Sequence, residues 1–333
     1  MSLSVAIVGA TGLVGRALLT VLEQRNFPID HLILLSGDRS AGQIISFGHK
    51  DYTVLSLAQF DWKSQVVDIA FFSAGNEVSS HYAPIARDSG CVVIDNSSAF
   101  RYDDDIPLIV PEVNGGQLNS ILQRRGCRRS PSIIVANPNC STIQLVMVLA
   151  PIHALVGIKK VIVSTYQAVS GAGQMLVDTL KNGEQSDLSI HHNVIPQIDT
   201  LQDNGYSREE MKMLWESRKI LNSPNLLLSA TAVRVPVINA HSESVVIETE
   251  KPFSVTQVMQ CLSNKPGLVV LEERWITPKE VSGKDAVFVS RIRQDLAFGE
   301  NGLSFWIVAD NLRKGAALNA VQIAEIILSQ IAS

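Results

Sequence analysis

Ser4-Val5-Ala6-Ile7-Val8-Gly9-Ala10-Thr11-Gly12-Leu13-Val14-Gly15 is the stretch that decides how this chain is read. The apolar run 4–8 predicts a short buried strand, and the glycine turn after it opens a helix expected to run through Gln24. Glycines at such a turn let the backbone approach a pyrophosphate, which then rests on unpaired N–H groups at the helix N-terminus. Gly9, Thr11, Gly12 and Gly15 are therefore candidate nucleotide contacts. The G-x-x-G-x-x-G spacing is a weaker relative of the commoner dinucleotide fingerprint, and its place between strand and helix gives it weight.

Outward from that turn, strand and helix patterns alternate. Residues 31–35 read as the next strand, where a site preferring NAD often supplies an acid to the ribose. Here Ser36-Gly37-Asp38-Arg39-Ser40 follows instead, and Arg39 with Ser40 can bind a 2′-phosphate, pointing to NADP. Asp38 is the counterargument, since it can accept from a 2′-hydroxyl or simply pair with Arg39. Residues 66–72 form a further strand leading to Ser73, Ala74 and Gly75, which suit a close approach to cofactor or merely a turn. A helix through Asp88 and a strand at 91–95 complete a parallel, doubly wound sheet. Arg101 follows at the edge where such sheets bind ligands, and can clamp a phosphate or pair with Asp103 to Asp105 at the surface. Residues 106–113, with Pro107 and Pro111, read as an extended connection. Arg124, Arg125, Arg128 and Arg129 read as a solvated basic loop, because no aromatic residues interleave with them.

The second focus is Ile133-Ile134-Val135-Ala136-Asn137-Pro138-Asn139-Cys140-Ser141-Thr142 and the apolar run 143–149. Strand, Asn-Pro stop and helix place Cys140 near a helix N-terminus, where peptide dipoles favour the thiolate. Such a thiolate can attack a carbonyl or an acyl phosphate; the alternative is a buried structural cysteine. Beyond it, 158–167 alternates as a half-packed strand, and Gln167 at its end can orient a substrate oxygen or satisfy backbone groups. Ser170, Gly171 and Gly173 mark a small-residue turn before another helix, and 181–193 reads as polar loop. Ser207 and Glu210 have capping-box spacing. Glu209 and Lys212 share a helix face, as a surface ion pair or as contacts to opposite charges on one substrate. Arg234 lies in an apolar strand stopped by Pro236 and needs an anionic partner, from a substrate or from the chain itself. His241 stands at a strand edge, able to act as acid or base or to be an ordinary loop histidine. Strands at 287–293 and 303–309 suggest a mixed sheet, and 312–330 predicts one long amphipathic helix.

Composition narrows the classes. With 28 Lys plus Arg against 32 Asp plus Glu, the formal charge of -4 argues against non-specific nucleic-acid binding. No apolar run is long enough to predict a membrane span, and the N-terminus lacks the order of a signal peptide, so a cytoplasmic protein is expected. Cys91, Cys127, Cys140 and Cys261 are scattered without a C-x-x-C pair, which supports neither zinc nor a disulfide framework; no metal is expected.

Together these stretches resemble the aspartate-semialdehyde dehydrogenase family over nearly the whole chain. The resemblance is carried by GATGLVG, the SGDRSAG run with Arg39 and Ser40, PLIVPEVN, NPNCSTIQ around Cys140, STYQAVSGAG around Gln167, PQID, EEMKM around Lys212, RVPV followed by HSES around His241, and DNLRKGAA. It implies a Rossmann-like, doubly wound α/β domain at 1–136 and an α+β catalytic and dimerisation domain with a mixed sheet at 137–310. Residues 311–333 would return as a helix to the nucleotide domain. It also implies roles. Cys140 would be the acyl-forming nucleophile, His241 the acid/base and Gln167 a substrate-orienting group. Arg101 and Lys212 would bind phosphate, and Glu209 and Arg234 the amino and carboxylate ends of an aspartyl substrate, with Asn139 beside them. Gly12, Leu13, Val14, Gly15, Arg39, Ser40, Ser170, Gly171 and Asn311 would contact NADP. The implied reaction reduces 4-phospho-L-aspartate to L-aspartate 4-semialdehyde and phosphate, on the route to lysine, diaminopimelate, threonine and methionine. A homodimer, possible as half of a tetramer, is the implied assembly.

Three departures stand out against that pattern. The 180–193 segment is short and carries His191-His192, Ala232 replaces a usual cysteine, and Ala240 replaces a frequent glycine before the histidine. The short segment favours one alternative, a catalytically weak paralogue that binds or assembles; a separate alternative is a reductase of another acyl phosphate such as N-acetylglutamyl phosphate. Glu209 with Arg234 discriminates against the latter, because acetylation removes the ammonium charge.

Overall fold

The computed structural model describes residues 3–124, 132–183 and 190–332. The basic loop expected at Arg125, Arg128 and Arg129, and residues 184–189 of the short segment, lie outside the described residues. The chain divides into two compact units, Met1–Pro138 with Ala316–Ser333, and Asn139–Gly315.

In the first unit, β1 (Ser4–Val8), β2 (His31–Ser36), β3 (Ile44–Phe47), β4 (Lys50–Thr53), β5 (Leu55–Ser56), β6 (Ile69–Phe72), β7 (Val92–Asp95) and β8 (Ile134–Ala136) alternate with α1 (Leu13–Gln24), α2 (Asn76–Asp88) and α3 (Pro111–Arg124). Six of the strands form a parallel sheet in the order β5-β2-β1-β6-β7-β8, and β3 with β4 makes a separate hairpin. The winding reverses between β1 and β6, so the ligand crevice of such a sheet opens beyond Val8 and Phe72. Gly9 is built for that position. It adopts φ +87°, and a Cβ there would stand 2.8 Å from the Ser73 carbonyl oxygen. A Cβ on Gly15 would stand 2.2 Å from the Gly9 carbonyl, so no side chain fits inside the turn.

Residues 111–113, expected to be extended, are helical. Proline lacks only an N–H that the first helical turn would leave unpaired, so Pro111 starts α3 instead of preventing it. The helix is broken at Asn114 (φ -131°, ψ 19°), whose side chain takes the Val110 N–H and donates to the Leu108 carbonyl.

The second unit contains α4 (Cys140–Val156), β9 (Ile158–Gln167), α5 (Gln174–Asn182), α6 (Arg208–Ile220), β10 (Leu227–Arg234), β11 (His241–Thr249), α7 (Val255–Ser263), β12 (Leu268–Leu271), α8 (Pro278–Val281), β13 (Val287–Gln294) and β14 (Gly302–Ala309). Its mixed sheet runs β10-β9-β11-β14-β13-β12, parallel at β10/β9 and β12/β13 and antiparallel elsewhere. Helix α4 is apolar on nearly every side and packs between the sheet and helices α6 and α7, as a helix without a polar face must. Strand β9 turns Val161, Val163, Thr165 and Gln167 inward, leaving Ile162 and Tyr166 exposed on the other face. Helix α5 runs through Asn182 and stops at Gly183 (φ +67°), so the loop begins later than expected.

The single helix expected at 312–330 is interrupted. Arg313–Ala317 is a π-helical turn closed by the Gly315 N–H on the Asp310 carbonyl, and α9 (Leu318–Ala332) follows. The expected boundary after 310 also moves. Asp310 accepts from the N–H groups of Gly283, Leu312 and Arg313, and Asn311 bonds to Ser170 and Ala240, which ties 310–315 into the second unit.

Candidate active site

Every expected catalytic residue belongs to the second unit, and the fold brings them together. Cys140 is the first residue of α4, and its Sγ lies 3.3 Å from Nε2 of His241, the first residue of β11. His241 is fully buried. Its Nδ1 accepts the Ala168 N–H at 3.0 Å, so the neutral ring carries its proton on Nε2, pointing at the sulfur. Burial, then the Arg234 charge, lowers the imidazole pKa to about 3, against a smaller upward pull from Glu209. In that neutral form His241 presents Nε2–H to the sulfur as a donor. A second ring proton would have to displace the Ala168 N–H.

Asn139 occupies the N-cap position of α4 without capping it. Its Nδ2 donates instead to Glu209 Oε1 at 2.8 Å, and its backbone N–H donates to Glu216 Oε2 at 2.7 Å. Glu209 and Glu216 lie two turns apart on one face of α6 and hold the residue before Cys140 at two points. Gln167 Nε2 donates to Glu209 Oε1 at 3.0 Å, to Ser141 Oγ at 2.8 Å and to Thr165 Oγ1 at 3.2 Å. Burial works to raise the Glu209 pKa, but Lys212, Asn139 and Gln167 outweigh it and the net shift is downward, keeping the carboxylate ionised. Lys212 Nζ donates to Glu209 at 3.1 Å and to Asp199 at 2.9 Å. Burial opposes its charge, and those two carboxylates raise its pKa nonetheless.

Arg234 is buried, and Nη1 donates to the Ala168 carbonyl at 2.7 Å. Among the described residues no carboxylate forms an ion pair with it, although burial disfavours its charge. The nearby charges of Cys140 and Glu209 favour the guanidinium against that burial. Gly171 lies against it; a Cβ there would be 3.1 Å from Arg234 Nη1 and 3.2 Å from His241 Nε2. Ser170 and Asn311 bond to each other, and Asn311 Oδ1 also accepts the Ala240 N–H at 2.9 Å, holding Ala240 at φ +72° just before His241.

The remaining expected residues lie in the first unit. Arg101 is buried, not at the surface, and Nη2 donates to the Asn96 carbonyl at 2.8 Å. Thr11 Oγ1 bonds Ser36 Oγ, Ser73 Oγ donates to the Val8 carbonyl, and Gly75 caps α2 at φ +91° without a side chain. Arg39 is exposed in a 3-10 turn, and Asp38 bonds Ser56 rather than Arg39.

Sequence reading passed over Glu216 and gave Asp199 no role beyond its place in PQID. Glu216 repeats the Glu209 position after two turns, a signal present in the sequence. The close packing expected at Gly315 is made against the nucleophile: a Cβ there would meet Cys140 Cβ at 2.9 Å.

Two family models match the chain: the semialdehyde dehydrogenase NAD binding domain over residues 4–121 and the semialdehyde dehydrogenase dimerisation domain over residues 149–314. An aspartate-semialdehyde dehydrogenase from Aquifex aeolicus is 47% identical, covering 99% of both chains. The chain belongs to the aspartate-semialdehyde dehydrogenase family. The family enzyme from Legionella pneumophila is 48% identical over 98% of this chain and 95% of its own length. The structure of aspartate semialdehyde dehydrogenase II from Vibrio cholerae, complexed with ASA, superposes with a TM-score of 0.92 at 46% identity, covering 99% of each chain. The N-terminal Rossmann-like NAD(P)-binding domain and the mixed α+β second domain are the architecture of this family. Among the described residues no helix is long and apolar enough to cross a membrane.

Proposed function

We propose that the chain is an active aspartate-semialdehyde dehydrogenase that reduces 4-phospho-L-aspartate to L-aspartate 4-semialdehyde with release of phosphate. The observation that carries the reading is the Cys140–His241 contact, flanked by an ionised Glu209 and a buried Arg234 with no carboxylate pair. Glu209 receives the substrate ammonium and Arg234 its carboxylate. That pairing selects a free amino acid over an N-acetylated one, and the intact site speaks against a merely binding or assembling paralogue. Lys212 and Arg101 receive phosphate.

Cys140 attacks the acyl carbon, the C–O bond to phosphate breaks, and a thioester forms on the sulfur. The glycine cradle of the first unit, with Arg39 and Ser40, would hold NADP, which when bound as NADPH would supply the hydride for the acyl carbon. The resulting alkoxide on Cys140 collapses to aldehyde and thiolate. His241 Nε2–H stabilises first the thiolate and then the oxyanion. The proton consumed overall leaves with phosphate, so His241 need not change its charge. Arg39 supports NADP over NAD, because it has no partner among the described residues while Asp38 is engaged by Ser56. The exposed face of the mixed sheet, with Ile162, Tyr166 and Leu227, supports a homodimer. Oxidation of aspartate semialdehyde that requires phosphate, prefers NADP+ over NAD+ and disappears in Cys140→Ala is the expected result. Turnover that survives in Cys140→Ala overturns the mechanism.

A further inference from the structure

The PQID motif has no role in the chemistry above, yet the structure fastens it at both ends. Ile195 pairs with Arg234 through N–H···O bonds of 2.9 and 2.8 Å, and the Thr200 carbonyl accepts the Arg208 N–H at 2.7 Å. Between these points Asp199 adopts φ +70°, a left-handed conformation that Asp reaches more readily than most residues because its side chain bonds the nearby backbone. Its Oδ1 accepts the Thr200 N–H at 2.8 Å, which turns Oδ2 onto Lys212 Nζ at 2.9 Å. Lys212 thus sits between two carboxylates, Asp199 about one-third exposed and Glu209 buried. An ammonium has three donors, so a phosphate approaching Lys212 meets one donor not already held by a carboxylate and two negative charges close by.

We propose that Asp199 is the built-in counter-ion of the phosphate subsite: it competes with phosphate for Lys212 and keeps the phosphate product weakly held. This rests on the reading that Lys212 receives phosphate. Glu209 is committed to Asn139 and Gln167 as well and serves the substrate ammonium, so it cannot yield Lys212 without loss. Asp199 is the partner that can. Its charge raises the energy of the bound anion without touching the reacting carbon, which makes it a positioning residue.

The test is steady-state kinetics of semialdehyde oxidation with inorganic phosphate varied, for wild type, Asp199→Asn, Asp199→Gly and Lys212→Gln. Asn keeps an oxygen for Lys212 and removes the charge; Gly suits the left-handed backbone and removes both, so the fold is kept in at least one variant. Both Asp199 variants are expected to lower the KM for phosphate about tenfold, with the semialdehyde KM within about twofold of wild type, and to strengthen product inhibition by phosphate in the reductive direction by the same factor. Damage to the scaffold does not tighten a ligand. A phosphate KM that is unchanged or raised in both variants overturns the proposal. If it does so while Lys212→Gln still raises that KM, the phosphate role of Lys212 stands without Asp199; a phosphate KM indifferent to Lys212→Gln removes the underlying reading as well.

Discussion

Glu216 offers the sharpest test of how the nucleophile is held. It is fully buried on α6, and its Oε2 takes the backbone N–H of Asn139 at 2.7 Å, one residue before Cys140. Glu216→Ala leaves that N–H buried without this acceptor, at a cost of about 1–3 kcal/mol. At roughly 2–4 °C per kcal/mol, Tm should fall by about 2–12 °C. The turn also loses one of its two anchors, and a displacement of about 1 Å at a reacting atom costs on the order of 100-fold in rate. Glu216→Gln keeps an oxygen in the same place and should lose less than about 1 kcal/mol and about fivefold in kcat. The assay is kcat at saturating substrates well below Tm, alongside the rate at which iodoacetamide alkylates Cys140. Wild-type kcat in a folded Glu216→Ala protein refutes the claim that α6 positions Cys140 through Asn139.

Three further outcomes follow from the geometry. Arg39→Ala should raise the KM for NADP+ by about 10–100-fold, as for loss of a hydrogen bond between charged groups, and leave the KM for NAD+ unchanged; equal effects on both cofactors contradict a 2′-phosphate contact. In ¹⁵N-labelled protein His241 should show a neutral Nε2–H ring at every pH from 5 to 9, since its pKa lies near 3, and a His241 signal titrating near 6.5 refutes the donor assignment. Burial pushes the Glu243 carboxyl well above its ordinary value of 4.5, with the charge of Glu209 adding to the rise and the nearby Gln144 amide acting against it. The folded protein therefore binds a proton there that the unfolded chain has lost. Its contribution to stability is complete below pH 4.5 and declines by up to about 1.4 kcal/mol per unit as pH rises toward the folded pKa. Urea unfolding at pH 5 and pH 8 should show a smaller decline for Glu243→Gln than for wild type; identical declines contradict a protonated Glu243.

Much of this site was legible because its chemistry is local. The strand–glycine turn–helix of β1 and α1 and the Asn-Pro stop before Cys140 are short-range signals, and each appears in the structure at the expected place. The Ser207–Glu210 capping box is also present, with both reciprocal hydrogen bonds. What stayed hidden depends on approach between distant segments. Cys140 and His241 are 101 residues apart, and His241 reaches the sulfur from the end of β11, where it pairs with Ala309 of β14. The tautomer of His241 is set by a backbone N–H at Ala168, which no residue type encodes. Pro111 misled because a proline that stops one helix can equally begin another. The π-turn at Arg313–Ala317 coincides with the close approach of Gly315 to Cys140, a contact between distant segments that the periodicity of residues 312–330 does not carry.

The central claim is that one sulfur carries the acyl group. Protein mixed with aspartate semialdehyde and NADP+ in the absence of phosphate should release NADPH to one equivalent per site and then stall, and intact-peptide mass spectrometry should find an aspartyl thioester on Cys140. Continuous NADPH release with Cys140 unmodified throughout would contradict it.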